Sequence, residues 1–109
     1  MAYDEQLAVR VRKLVARKAG YSERKMFGGL CFMINGNMAC GVLADALIVK
    51  VPKSETPDFL KRRHTRAFDF TGKAMRGFVV VEASGLGRSD ALARWVQRGL
   101  DTATEMAPK

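Results

Sequence analysis

The sequence is poor in the residue types that most often bind metals or carry out catalysis. It contains two cysteines, Cys31 and Cys40, and a single histidine, His64. Two cysteines cannot form the dense disulfide framework of a small secreted domain, and their spacing to His64 matches no zinc motif. We therefore expect a reducing cytoplasmic environment, with no metal site and no cofactor.

Long apolar runs are also absent. No stretch approaches the ~20 apolar residues that cross a bilayer. The first residues lack a basic segment followed by an apolar one, which is the pattern of an export signal. We expect a protein that is neither exported nor anchored in a membrane.

Length and composition indicate one folded domain over residues 1–109. Of the 109 residues, 48% are apolar and 28% are charged, which is near the average for globular proteins. A chain of this length can bury a hydrophobic core but is too short for two comfortable domains. Disordered, collagen-like and repetitive classes are therefore excluded.

Positive charge is the strongest deviation in the composition. The 19 Lys and Arg against 11 Asp and Glu give a formal net charge of +8. Such a surplus favours contact with nucleic acid or other polyanions, although it also serves solubility. The candidate polyanion-contacting residues lie on one side of the first predicted helix and in a later basic cluster: Arg10, Lys13, Arg17, Lys61, Arg62, Arg63 and Arg66.

The residue pattern in the first half of the chain predicts one helix and three strands. Residues 4–17 place Leu7, Ala8, Val11, Leu14 and Val15 on one helical face, with Asp4 as the N-cap and Val9 outside that face. Residues 18–29 are interpreted as a glycine cap at Gly20 followed by a polar connector. Apolar runs at 30–34, 38–42 and 46–51 predict antiparallel strands, and Asn35-Gly36 predicts a two-residue hairpin turn.

The second half predicts a short helix, two strands and a closing helix. Thr56-Pro57 starts the short helix over 57–63, and strands follow at 68–70 and 77–82. Ser89 is the expected N-cap of the last helix, whose apolar face carries Gly99 towards the sheet. The expected fold is an α+β domain of order α-β-β-β-α-β-β-α, with a five-stranded antiparallel sheet and helices on one face in two layers.

The hairpin register makes a specific prediction for the thiols. A two-residue turn at Asn35-Gly36 pairs residue 34 with 37, 33 with 38 and 32 with 39, so that Cys31 faces Cys40. A directly opposed pair is close enough for a cross-strand disulfide under oxidation. In the cytoplasm two reduced, buried thiols are expected, and a chance meeting of small core residues is favoured over a redox switch.

No catalytic constellation emerges from the residues. His64 lies in the basic cluster with no adjacent carboxylate to orient it, so a solvated residue at a helix end is the favoured interpretation. The carboxylates fall in turns, caps and strand ends, where they are typical capping groups. We therefore expect no catalytic residues and no enzymatic activity.

Two segments of the chain resemble the TfoX N-terminal domain (Sxy) family. The first is the Met26-Phe27-Gly28-Gly29 segment before the apolar hairpin. The second is Phe68, Phe70 and Gly72 with Met75 and Gly77, and the closing helix with Trp95 is also similar. The resemblance implies an antiparallel sheet with helices, no established active site, and a link to competence and transcription regulation.

Three functional hypotheses follow. The preferred one is a non-catalytic regulatory domain that binds an unknown protein partner, with a homodimer as a further expectation because an open sheet must protect its edges. The alternative is a basic nucleic-acid-associated module, for which we expect only weak, non-specific binding. An uncharacterised enzyme is the third.

Overall fold

The computed structural model describes residues 3–26, 28–69 and 75–107. Its elements are α1 (Glu5–Val15), β1 (Tyr21–Met26), β2 (Gly29–Ile34), β3 (Asn37–Leu43), β4 (Ala46–Lys50), α2 (Thr56–Phe59), β5 (Thr65–Ala67), β6 (Phe78–Val81) and α3 (Ser89–Glu105). Short 3₁₀ helices at Lys53–Glu55 and Ala83–Gly85 complete the described elements. The strands form one antiparallel sheet of order β1-β2-β3-β4-β6-β5. The α+β prediction is confirmed, but the sheet has six strands and not five.

Helix α1 begins where its cap residue predicts. The Asp4 carboxylate accepts hydrogen bonds from the backbone N–H groups of Gln6 and Leu7 at 2.9 and 3.1 Å. These bonds satisfy donors that a helix start leaves without an internal partner. Val9 is exposed as expected, but Leu14 is also 37% exposed, so its assignment to the buried face was wrong.

The strand that sequence patterning missed is β1, which the sequence analysis interpreted as a polar connector. Its four central residues are exposed, because β1 is an edge strand. It pairs with β2 from Tyr21 opposite Ile34 to Met26 opposite Gly29. The Arg12 guanidinium of α1 contacts the Glu23 carboxylate at 2.6 Å and lowers the pKa of that carboxyl group. Backbone pairing with β2 and this ion pair hold β1 in place. Because β1 is polar, apolar periodicity in the sequence could not reveal it.

The hairpin between β2 and β3 has the predicted turn but a different register. Asn35 and Gly36 have positive φ angles of 53° and 82°, as a type I′ turn requires. Met33 pairs with Met38 as expected, but a bulge follows and Phe32 then pairs with Cys40. The extra residue in β3 makes Gly41 the partner of Cys31.

The predicted cross-strand thiol pair was therefore wrong. The Cys31 Sγ atom lies 3.3 Å from the point that a Cβ on Gly41 would occupy, so Cys31 shares a face of the sheet with Gly41. Consecutive strand residues point to opposite faces of the sheet, so Cys40, the neighbour of Gly41, points to the other face. Both thiols are free and buried.

The connection through α2 and β5 also differs from expectation. Helix α2 ends at Phe59, not at residue 63, and the strand predicted at 68–70 is replaced by β5 at Thr65–Ala67. The Thr65 hydroxyl donates to the carbonyl oxygens of Phe59 and Arg62 at 3.1 and 2.7 Å. His64 has a positive φ of 66° and turns the chain towards the sheet. Phe70 lies outside the described residues.

Two clusters of buried apolar side chains cover the two faces of the sheet. The helix cluster joins residues of all three helices to alternate residues of the strands, among them Val11, Phe59, Leu92, Leu47 and Val79. The outer cluster consists of Ala46, Ile48, Phe68 and Val80, with Met38, Leu43, Met75 and Phe78 packed against it. The two clusters take alternate residues of β4 and β6, so these strands are apolar on both faces.

Helix α3 packs closely against the sheet at Gly99. Its buried residues include Leu92, Val96, Gly99 and Leu100, as the apolar face predicted. A Cβ atom on Gly99 would lie 2.1 Å from the carbonyl oxygen of Ala39 in β3. The expected approach of Gly99 to the sheet is confirmed. Ser89 is the first residue of the helix and not its cap, since Arg88 occupies the cap position.

We predict that Gly99→Ala destabilises the protein even though alanine favours helix. The added methyl group must push α3 away from β3, and overpacking of this kind costs about 1–3 kcal/mol. Urea unfolding monitored by Trp95 fluorescence measures the effect. Gly87→Ala is the matched control, because a Cβ there meets nothing within 4 Å. An unchanged urea midpoint for Gly99→Ala would contradict the close approach.

We predict that the two thiols react slowly in the folded protein and form no intramolecular disulfide. Burial raises the pKa of Cys31 to about 11 and that of Cys40 to about 12. An unfolded thiol has a pKa of about 8.5, so the native state should lose stability as the pH rises above that value. Thiol titration with and without urea tests reactivity, and Cys40→Ala should weaken the pH dependence. A mass loss of two hydrogens per chain after mild oxidation would refute the placement of the two thiols on opposite faces of the sheet.

Candidate functional site

An apolar groove opens on the face of the sheet opposite the helix cluster. Its volume is about 250 Å³, and four of the six methionines line it. We call it the methionine groove, and its described lining residues are Arg24, Met26, Met33, Gly36, Asn37, Met38, Lys50, Phe78 and Met106.

The sheet and the end of α3 together position the groove residues. Met33 and Met38 pair across the β2–β3 hairpin, and Lys50 pairs with Phe78 across β4 and β6. Met106 follows α3, and the next residue is tied to the hairpin because the Asn37 side-chain N–H donates to the Ala107 carbonyl oxygen at 2.8 Å. Docking of the C-terminal helix therefore adds Met106 to a groove that the sheet otherwise builds.

The chemistry of the groove combines a flexible apolar floor with positive charge. Methionine side chains are unbranched and adapt to the shape of a bound surface. The Lys50 Nζ atom lies 4.4 Å from the centroid of the Phe78 ring, and Arg24 lines the groove as well. The Asn37 Oδ1 atom is buried and has no hydrogen-bond partner among the residues that the structure describes. Such a surface suits an apolar segment that carries acidic groups.

The first motif segment forms the turn between β1 and β2. Met26 ends β1 and pairs with Gly29, while Gly28 lies in the turn and Phe27 falls outside the described residues. A Cβ atom on Gly29 would lie 2.2 Å from the carbonyl oxygen of Val42. Only glycine permits this approach between neighbouring strands, so the segment has a structural role in the hairpin.

The described residues of the second motif segment lie at the outer cluster and beside α2. Phe68 is 2% exposed, and its carbonyl oxygen accepts a hydrogen bond from the Met75 N–H at 2.8 Å. The Gly77 N–H donates to the buried Thr56 hydroxyl at 2.9 Å, which ties the segment to α2. Phe70 and Gly72 belong to the same motif but lie outside the described residues. The structure thus separates the two motif segments, one in a hairpin and one on the outer face.

The basic residues are distributed over several elements. Arg10 donates to the Leu86 carbonyl oxygen at 2.7 Å, while Lys13 and Arg17 are exposed on and after α1. Lys61, Arg62, Arg63 and Arg66 are exposed around the turn between α2 and β5. Arg62 differs from its neighbours, since its guanidinium lies over the rings of Phe59 and Trp95. Contact of these residues with polyanions stays a prediction.

His64 has a partner that sequence spacing did not reveal. Its Nδ1 atom lies 2.7 Å from the Ser84 Oγ atom, on the exposed side of the molecule. A catalytic serine–histidine pair also needs a carboxylate that orients the ring. No described carboxylate contacts the ring, so the pair joins two loops without completing a triad.

Two kinds of feature are absent from the part of the chain that the structure describes. No group of three His, Cys, Asp or Glu side chains within it is placed to hold a metal ion. None of its helices has the length and hydropathy needed to span a membrane.

These features define the protein as a basic α+β domain with an open apolar groove on a six-stranded antiparallel sheet. The family model of the TfoX N-terminal domain matches residues 13–103, and the chain belongs to this family. The match begins within α1 and ends within α3, so it includes both motif segments. Comparison with curated proteins gave no match.

We predict that Thr56→Val lowers the stability of the second motif segment. The Thr56 hydroxyl is buried, accepts from the Gly77 N–H and donates to the Pro52 carbonyl oxygen at 3.2 Å. Valine has a similar shape but leaves the buried N–H unpaired, which costs about 1–3 kcal/mol. Urea unfolding measures the loss, and Thr56→Ser keeps the hydroxyl as the control. Equal stability of the valine and serine variants would contradict this role.

Proposed function

We propose that the protein is a non-catalytic regulatory domain that binds another protein through the methionine groove. The single observation that carries this proposal is the clustering of Met26, Met33, Met38 and Met106 beside Phe78 on one open surface. Methionine-rich surfaces suit protein recognition because they repack around different partners.

The charge beside the groove favours an acidic amphipathic partner. Arg24 and Lys50 line an otherwise apolar floor, so a partner helix or strand with apolar anchors and flanking carboxylates matches both properties. The net charge of +8 also speeds the encounter with an acidic partner.

Three carboxylates have structural roles, which favours a binding role over an enzymatic one. Asp4 caps α1, Glu23 pairs with Arg12, and Asp90 pairs with Arg88 and Arg94. Each of these groups is engaged in a structural contact away from the groove. An enzyme hypothesis would have to start from the exposed His64–Ser84 pair, which lacks an orienting acid among the described residues.

The family suggests the biological setting of the proposal. The TfoX N-terminal domain implies a role in regulating competence or transcription. The proposal places this role in the cytoplasm and assigns it to one domain over residues 1–109. A second copy of the chain is the alternative occupant of the groove, and light scattering over a wide concentration range separates it from a different protein. A monomer mass throughout would reject self-association.

We predict that acidic substitutions in the groove abolish partner binding without unfolding the domain. Met106 is 36% exposed and Met26 is half-buried, so Met106→Glu and Met26→Glu should change stability by little more than ~0.5 kcal/mol. A photo-crosslinking residue at position 38 captures the partner in the native cell, and its identity follows from mass spectrometry. Each acidic variant should reduce that crosslink strongly.

The matched control is Val9→Glu on α1. Val9 is 44% exposed and lies outside the groove, so this variant adds the same charge without touching the proposed contact surface. Loss of the crosslink in the control as well, or its persistence in both groove variants, would refute the proposal.

A further inference from the structure

Three arginines converge on the only tryptophan of the chain. A pocket of about 190 Å³ is lined by Arg62, Ala91, Arg94, Trp95 and Arg98. We call it the arginine–tryptophan site. It lies away from the methionine groove, and the two pockets share no lining residue.

Helical spacing and a loop contact build this site together. Ala91, Arg94, Trp95 and Arg98 fall three or four residues apart on α3, so they share one face of the helix. Arg62 comes from the turn after α2, and its guanidinium carbon lies 4.9 Å from the Phe59 ring centroid and 5.9 Å from that of Trp95. The Trp95 ring packs against Phe59 with centroids 5.9 Å apart. The aromatic pair thus holds Arg62 beside the arginines of α3.

The charge of the site is incompletely neutralised. Arg62 and Arg98 each place a guanidinium carbon 4.9 Å from the Phe59 centroid, so the two cations lie within about one Debye length, ~10 Å at 0.1 M salt. Neither forms an ion pair within the described residues, whereas Arg94 contacts the Asp90 carboxylate at 3.2 Å. Guanidinium groups keep their proton, so a bound anion would relieve this repulsion.

The chemistry of the site favours phosphate attached to an aromatic base. The planar N–H fork of arginine matches phosphate oxygens, and the aromatic contacts hold Arg62 and Arg98 ready for binding. The half-buried indole of Trp95 offers an aromatic surface beside these cations, as stacking sites for unpaired bases do. Exposed Lys61 and Arg63 extend the positive surface along the chain.

We propose that the arginine–tryptophan site binds single-stranded nucleic acid, with backbone phosphates on Arg62, Arg94 and Arg98 and a base against Trp95. Recognition is independent of base sequence, because no element of the site is shaped to enter a groove and reach base edges. This binding is distinct from the proposed protein interaction at the methionine groove, and either can fail without the other.

The test uses the full chain and a labelled oligodeoxythymidylate of about 12 nucleotides, a length within the usual range for one binding domain. Fluorescence anisotropy of the label measures affinity at several salt concentrations. Because Trp95 is the only tryptophan, its intrinsic fluorescence reports occupancy of this site directly. Binding should change the Trp95 emission and weaken steeply with salt.

Arginine substitutions locate the contact. Arg62→Gln and Arg98→Gln should each weaken binding by about two- to fivefold, as expected for one exposed charge contact. Each should also reduce the salt slope by about 0.7. Arg76→Gln is the charge-matched control, since Arg76 is exposed and lies outside the site. Equal losses in the control and the site variants, or binding without a change in Trp95 emission, would overturn the proposal.

One further variant should bind more tightly, and unfolding of the protein could not produce such a gain. Asp90→Asn removes the carboxylate that contacts Arg94 and should strengthen binding by about two- to fivefold. Unchanged or weaker binding by a folded Asp90→Asn variant would count against the site.

Two competitors identify the source of the phosphate. Duplex DNA of the same length should bind more weakly than the single strand, and inorganic phosphate at matched ionic strength should not displace it. Tighter binding of the duplex, or full displacement by inorganic phosphate, would refute the assignment to single-stranded nucleic acid.

Discussion

The docking of α3 on β3 is the contact on which the other features depend. Gly99 brings the helix so close to Ala39 that a methyl group has no room between them. The same helix then presents Arg94, Trp95 and Arg98 on one side, and its C-terminal end brings Met106 and Ala107 to the hairpin. One tightly packed interface therefore positions both the arginine–tryptophan site and one wall of the methionine groove. A shift of α3 would alter two surfaces at once.

The two surfaces differ in the way they carry positive charge. In the methionine groove, cations flank an apolar floor, which suits a protein segment that must bury apolar area. At the arginine–tryptophan site, cations form the lining itself and the aromatic rings support them, which suits phosphate. Part of the positive charge of the chain thus lies in two different chemical settings. Composition alone gives the net positive charge but does not show where the charged side chains lie.

Three described residues of the family motif have structural roles. Gly29 permits two strands to approach, Phe68 fills the outer cluster, and Gly77 binds the Thr56 hydroxyl. None of these three residues lines the methionine groove or the arginine–tryptophan site. Met26 of the first motif segment and Trp95 of the similar closing helix do line these surfaces, so the residues that carry the resemblance serve the fold and also contribute to both sites.

Local signals in the residues correctly predicted the features that depend on near neighbours: the cap of α1, the Asn35-Gly36 turn, the central apolar strands and the buried face of α3. These signals are local because hydrogen bonds and apolar periodicity act over a few residues. Three other features could be seen only in the folded chain: the edge strand β1, the bulge that separates Cys31 from Cys40, and the contact of Arg62 with Trp95. Each of these depends on backbone pairing or packing between distant segments, which leaves no periodic pattern in the residues concerned.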